Sequence, residues 1–284
     1  MHAILALLKD TWSGFQRHNA QWLAAALAYF AAFAVAPLII VFVEIAGFVV
    51  HDDLRVLHAI YGYVDRDAGP GASAVRSIVT SIFSEQRNGL VAEIVGWSVF
   101  LFAAVGLFSA LQFALNTVWD AHPPKMTIWA TIRERAWSFV AMLLIALLLL
   151  LSVVVNAALA AASAYHGAGA GALAALVNAV DFLASFAVVW TGFALLFRYL
   201  PDTRTAWRDV ALGSAITALL FVAGQFLVGW YLGIASLRST FGAFGSLVAF
   251  LLWVNYSAQI LLFGAEFTHA YAKRFGSRAS KATR

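Results

Sequence analysis

The chain has 284 residues, 63% hydrophobic and 11% charged, with no cysteine and a formal net charge of +4. So few charges, against roughly a quarter in ordinary soluble domains, exclude a water-soluble globular class. The missing cysteine excludes disulfides and thiolate metal sites.

Residues 1–22 open the chain with an amphipathic pattern. Ile4, Leu5, Leu8, Trp12 and Phe15 fall on one helical face and Lys9, Asp10 and Arg17 on the other, as expected of a helix lying in the inner headgroup layer. Ile4 to Leu8 is too short for the apolar core of a cleavable signal, and Lys9-Asp10 interrupts it. Six apolar runs follow: Ala24 to Val50, Val91 to Ala114, Ala136 to Ala162, Leu176 to Leu200, Val210 to Ile234 and Gly242 to Ala270. Each is long enough, at about 1.5 Å per residue, to cross an apolar layer of about 30 Å. The prediction is a single all-α membrane domain, residues 1–284, with six transmembrane helices and both termini on one side.

The connections set the orientation. Thirteen of the eighteen Lys and Arg residues lie in the N-terminal segment, the second connection, the fourth connection with Arg198 at the very end of the run before it, and the basic tail 271–284. The other five are Arg55, Arg66, Arg76, Arg87 and Arg238, on the alternate connections. The positive-inside rule then places both termini in the cytoplasm. Juxtamembrane charge facing anionic headgroups accounts for the basic excess, so nucleic acid is not an expected partner and membrane lipid is. On the outer side, residues 51–90 form a loop too long for a passive link. Val75, Ile78, Val79, Ile82 and Phe83 predict a second interfacial helix there, closed by Asn88-Gly89. His51, Asp52, Asp53 and His58 in this loop have no enforced ligand geometry, and no metal is assigned.

Four acids interrupt the spans: Glu44, Glu93, Asp181 and Glu266. A carboxylate in the apolar layer costs about 2.5 to 3.5 kcal/mol even on the lenient insertion scale, so each must sit near the interface, be protonated or face a wet cavity. Glu93 and Asp181 also read as solvated acids in the first turns of their helices, where the dipole favours an anion. Glu44 and Glu266 lie in C-terminal halves, where it does not. Asn255, Gln259, Glu266 and His269 share one face of the last helix, within about 80°. Ser214, Ala218, Gln225 and Gly229 form a second polar face, Asn178, Asp181, Ser185 and Gly192 a third, and Ser98, Ser109, Gln112 and Asn116 a fourth. All four are expected to look inward, either packing helices or lining a hydrated interior. Pro37 removes a backbone donor and is expected to kink the first span.

Ala24-Ala25-Ala26-Leu27-Ala28-Tyr29-Phe30 running to Pro37, Leu115-Asn116-Thr117-Val118-Trp119, Arg198-Tyr199-Leu200-Pro201-Asp202 with Trp207-Arg208, and Gly264-Ala265-Glu266 occur in that order. Together they resemble the YihY/BrkB family of bacterial inner-membrane proteins over essentially the whole chain. The resemblance implies a six-helix protein of the cytoplasmic membrane without an agreed biochemical activity. Older names in the family attach ribonuclease BN and serum resistance. The chain departs from the usual pattern at Ala34 and at Asp120.

Nuclease chemistry needs clustered carboxylates or histidines on a surface that RNA can reach. His122, Asp120, Glu134, Asp202 and Asp209 are scattered through short connections without such spacing. The expectation is therefore no enzyme and no cofactor. The leading functional reading is a transporter or exporter of a small solute or lipid-like amphiphile, coupled to protons through Glu44, Glu266, Asp181 and Glu93 and lined by Asn255, Gln259 and Gln225. The alternative is a non-transporting envelope factor that organises lipids or partner proteins. Substrate and oligomeric state are not legible.

Overall fold

The computed structural model describes residues 2–34, 90–121, 172–203, 205–234 and 237–278. The expected kink at Pro37, the acid Glu44, the third span and the outer loop with its interfacial helix lie outside these residues. Among the described residues the secondary structure is helical, with no strand. The described residues hold six helices, in order α1 (His2–Arg17), α2 (Ala20–Ala34), α3 (Leu90–Val118), α4 (Ala172–Tyr199), α5 (Trp207–Ile234) and α6 (Leu237–Arg274).

Among the described residues, two stretches are long and apolar enough to cross a membrane, Trp207–Gln225 in α5 and Leu247–Arg274 in α6. Shorter apolar stretches fill α2, Phe102–Val118 of α3 and Ser185–Tyr199 of α4. Phe102, Phe113, Leu183, Leu219 and Leu227 are all exposed. Helices that turn large apolar side chains outward as well as inward suit a lipid surround.

Local chemistry explains the helix ends. Asn19 adopts φ 51°, the left-handed conformation asparagine tolerates better than most residues, and separates α1 from α2. After α3, Asp120 takes φ 50°. Its N–H donates to the Thr117 carbonyl and that of Ala121 to the Asn116 carbonyl, which closes the helix as a Schellman motif. Arg198, Lys273 and Arg274 occupy the last turns of α4 and α6 and Asp209 the first turn of α5, each matched in sign to the helix dipole. α4 begins four residues before the expected start of its span, because Ala172-Leu173-Ala174-Ala175 are strong helix formers. Asp181 is therefore two turns past the first turn.

The described residues form two compact units. The first draws on Met1–Ala20, Gln112–Val222 and Ile260–Arg284, the second on Gln21–Leu111 and Ala223–Gln259. In the second unit a Cβ on Gly106 would meet the ring of Phe30, so α2 and α3 approach closely there, beside a cluster of Tyr29, Phe30 and Phe33. In the first unit Leu115, Val118, Trp119, Phe197, Val210 and Leu262 are buried. Two glycines let α5 and α6 approach closely. A Cβ on Gly213 would overlap Thr268, and one on Gly264 would overlap Thr217. The two threonine hydroxyls donate to the carbonyls of Gly213 and Gly264 on their own helices, at 2.7 Å each. The helices thus meet through small residues spaced by four, a device by which membrane helices pack in the absence of a hydrophobic driving force.

α1 has three faces rather than the two expected. Leu7, Thr11, Gly14 and Phe15 turn into the first unit, Phe15 against Phe263. Ile4, Leu5, Leu8 and Trp12 are exposed, and Lys9, Asp10, Ser13 and Arg17 line the remaining side. Phe15 leaves the expected apolar strip because it sits at the strip's edge, within reach of α6.

Candidate functional site

Of the four acids expected within the spans, Glu266 is the one whose side chain is described, and it is buried, at 3% exposure. It lies where α1 crosses α6. Gly14 makes this crossing feasible, since a Cβ there would overlap Oε2 of the carboxylate. One turn later, just past the end of α1, Nδ1 of His18 stands 2.5 Å from Glu266 Oε1. The other ring nitrogen, Nε2, lies 3.3 Å from Asp120 Oδ1. Asp120 Oδ2 accepts a hydrogen bond from Lys273 Nζ at 2.9 Å and lies 4.0 Å from His269 Nε2. His269 is itself buried; its Nδ1–H donates to the Val118 carbonyl at 2.6 Å, and its ring packs on Trp119 at 5.1 Å. That bond leaves the lone pair of neutral His269 on Nε2.

The chain of groups runs from buried to exposed: the Glu266 side chain is 4% exposed, His18 9% and Asp120 47%. Burial alone would raise the Asp120 carboxyl. The Lys273 hydrogen bond and charge, with the nearby His269 and His18 rings, outweigh that and hold it below its ordinary value of 3.8. Glu266 and His269 also line a cleft of about 380 Å³ with Asp10, Ser13, Arg17, Ala270, Lys273 and Arg274. Arg274 donates to Asp10 across it at 2.5 Å. Among the described residues Arg17 makes no hydrogen bond or ion pair, and its charge acts on Glu266. No group of three acids or histidines among the described residues has the geometry to hold a metal ion.

A second polar clamp stands beside the first. Asp202 accepts from Asn116 Nδ2 at 2.7 Å and from Gln112 Nε2 at 3.2 Å, and its N–H donates to Asn116 Oδ1 at 2.8 Å. Buried Asp209 accepts from the N–H and hydroxyl of Ser277, at 3.0 and 2.7 Å, and ties the end of α6 to the start of α5. Arg198 stacks over Trp207 and Arg278 over Trp119. Three of the sequence motifs, around Asn116, Asp202 and Glu266, therefore converge in the first unit.

Other predicted site residues lie elsewhere. Asn255 and Gln259 bond to each other at 2.6 Å on α6 in the second unit. Gln225, in the second unit, is exposed, as are Ser98 and Ser109. Those stripes do not look inward along their whole length: a face of small residues winds round a straight helix, and only the part at a helix crossing is covered. Glu93 falls in the first turn of α3 and Asp181 within α4; the placement of their side chains, like Glu44 entirely, lies outside the description. Sequence reasoning missed His18. Its signal was the spacing of Gly14 and His18, which puts a gap and a ring on one face of α1.

Comparison with known proteins fits this assembly of motifs. A UPF0761 membrane protein of Azotobacter vinelandii is 30% identical over 245 residues, covering 86% of this chain and 57% of its own length. UPF0761 membrane proteins of Teredinibacter turnerae and Saccharophagus degradans are 27% and 26% identical, over 95% and 93% of this chain. The chain spans about three fifths of the length of these relatives. No solved structure matches. The family model described as Virulence factor BrkB matches residues 11–284, and the chain accordingly belongs to the BrkB family of bacterial membrane proteins.

Proposed function

We propose that the protein is a six-span transporter or exporter of the bacterial inner membrane, with both termini cytoplasmic. It moves a small solute or lipid-like amphiphile and couples that movement to protons through Glu266. The observation that carries the reading is a buried carboxylate at the end of a candidate membrane span, paired with a histidine and bordering a polar cleft. A membrane protein that needed only to pack would gain more from an apolar residue there, because burying an ionisable pair costs more solvation than it returns unless geometry is very good. The reading assigns the chain no enzymatic chemistry, no cofactor and no nucleic-acid partner. Its partners are membrane lipids and the transported molecule.

The test is flux of fluorescent amphiphiles and small solutes through proteoliposomes under an imposed pH gradient. Glu266→Gln should abolish the pH dependence while the protein remains folded and monodisperse; flux that keeps its pH dependence in this variant rejects the coupling.

The exposed strip Ile4, Leu5, Leu8 and Trp12 favours a second reading, an envelope factor that organises lipids. Wild-type protein that binds anionic vesicles but shows no flux of any tested molecule would decide for it.

A further inference from the structure

Both ring nitrogens of His18 face carboxylates that differ sharply in exposure. We propose that His18 is a proton relay between solvent-facing Asp120 and buried Glu266. This deepens the reading of Glu266 as the coupling acid and rests on it for its purpose, though not for its chemistry.

Two placements of one proton fit the same heavy atoms. In the first, Asp120 is protonated and its O–H donates to the Nε2 lone pair, while Nδ1–H donates to the Glu266 carboxylate. In the second, Nε2–H donates to the Asp120 carboxylate, and protonated Glu266 donates to the Nδ1 lone pair. Passage between them needs two short transfers. The Asp120 proton moves to Nε2, giving an imidazolium between two carboxylates, and the Nδ1 proton then moves to Glu266 Oε1. One proton has crossed from Asp120 to Glu266, His18 has changed tautomer, and net charge is conserved. At 2.5 and 3.3 Å the gaps are those of a hydrogen-bonded or nearly hydrogen-bonded line.

The surroundings suit this task. The His18 N–H donates to the Gly14 carbonyl at 2.9 Å, and the left-handed turn at Asn19 follows at once, so the ring is held from both sides of its backbone. From α6, Lys273 binds Asp120 Oδ2, while His18 Nε2 lies nearer Oδ1. Arg17, on α1, lines the same cleft as Glu266. His269, also from α6, stands 4.0 Å from Oδ2 and off the line. Among the described residues, Asp120 and Glu266 are the acids that face the ring.

The experiment uses the full chain in vesicles of phosphatidylethanolamine and phosphatidylglycerol. A photoreleased proton starts the reaction, and the infrared band of a protonated carboxyl follows it; loss of the band in Glu266→Gln assigns it. His18→Gln keeps hydrogen-bonding capacity at the position but cannot shuttle a proton, and should slow the rise of the band about a hundredfold. Asp120→Asn should slow it as well. In His18→Ala, added imidazole should restore the rate, which a merely structural histidine would not show. A wild-type rate in His18→Gln overturns the relay, as does a band that persists in Glu266→Gln. Should His18→Ala fail to fold, His18→Gln decides the matter alone. If flux in Glu266→Gln keeps its pH dependence while the infrared rate still depends on His18, the coupling reading fails and the relay stands.

Discussion

Asp120 does two jobs that draw on different parts of the residue. Its backbone, at φ 50°, closes α3, and its carboxylate gathers Lys273, His18 and His269. Because the folded carboxyl titrates below its ordinary 3.8, its contribution to stability is fully present above that value and disappears as pH falls through the folded one. Asp120→Asn keeps the turn, since asparagine also tolerates this conformation. We expect it to unfold at lower temperature than wild type above about pH 4, with the gap closing on further acidification; thermal unfolding in detergent across pH checks this. The gap should be small, because the side chain is about half exposed. Gly14→Ala should act more strongly. Its methyl overlaps Glu266 Oε2 and pushes the carboxylate off His18, for an expected loss of about 1–3 kcal/mol by overpacking, measurable by chemical denaturation. Glu266 was legible in the sequence because an acid late in an apolar run has few inexpensive explanations. Its partner was not, since His18 lies 248 residues away in the chain and only the docking of α1 decides which residue meets the acid.

At the scale of elements, α5 and α6 are joined by a reciprocal pair of notches. Each presents a glycine to the other's threonine, and each threonine hydroxyl is already spent on its own helix. The contact is therefore one of shape and not of hydrogen bonding between helices. Gly213→Ala and Gly264→Ala should each destabilise by about 1–3 kcal/mol. Adding Thr268→Ala to Gly213→Ala should recover part of that loss, a positive coupling in a double-mutant cycle. These notches were present in the sequence as Gly213 with Thr217 and Gly264 with Thr268, at the four-residue spacing of membrane helix contacts. A reading that weighted polar stripes passed over them. It placed Gln225 on an inward face for the same reason, since periodicity identifies a face but not the stretch of helix at which a neighbour covers it.

Across the whole molecule, membrane class was legible from composition, and family from four short motifs, three of which meet in the first unit. The proposed topology rests on charge alternation and can be tested simply, because the chain has no cysteine to mask. Single cysteines at Ser13 and Lys273, both exposed, should be protected from an impermeant maleimide in intact cells and labelled after lysis. A cysteine at Arg76 should be labelled in intact cells. Labelling at Ser13 before lysis would reverse the assigned orientation. The paired notches between α5 and α6 also constrain how the protein moves. Sliding one helix past the other by a turn, about 5.4 Å, would carry each threonine out of its glycine notch and against a residue that has a side chain. Rotation about the crossing leaves both notches filled. The α5–α6 contact therefore acts as a fulcrum, permitting these helices to rock and forbidding them to work as pistons.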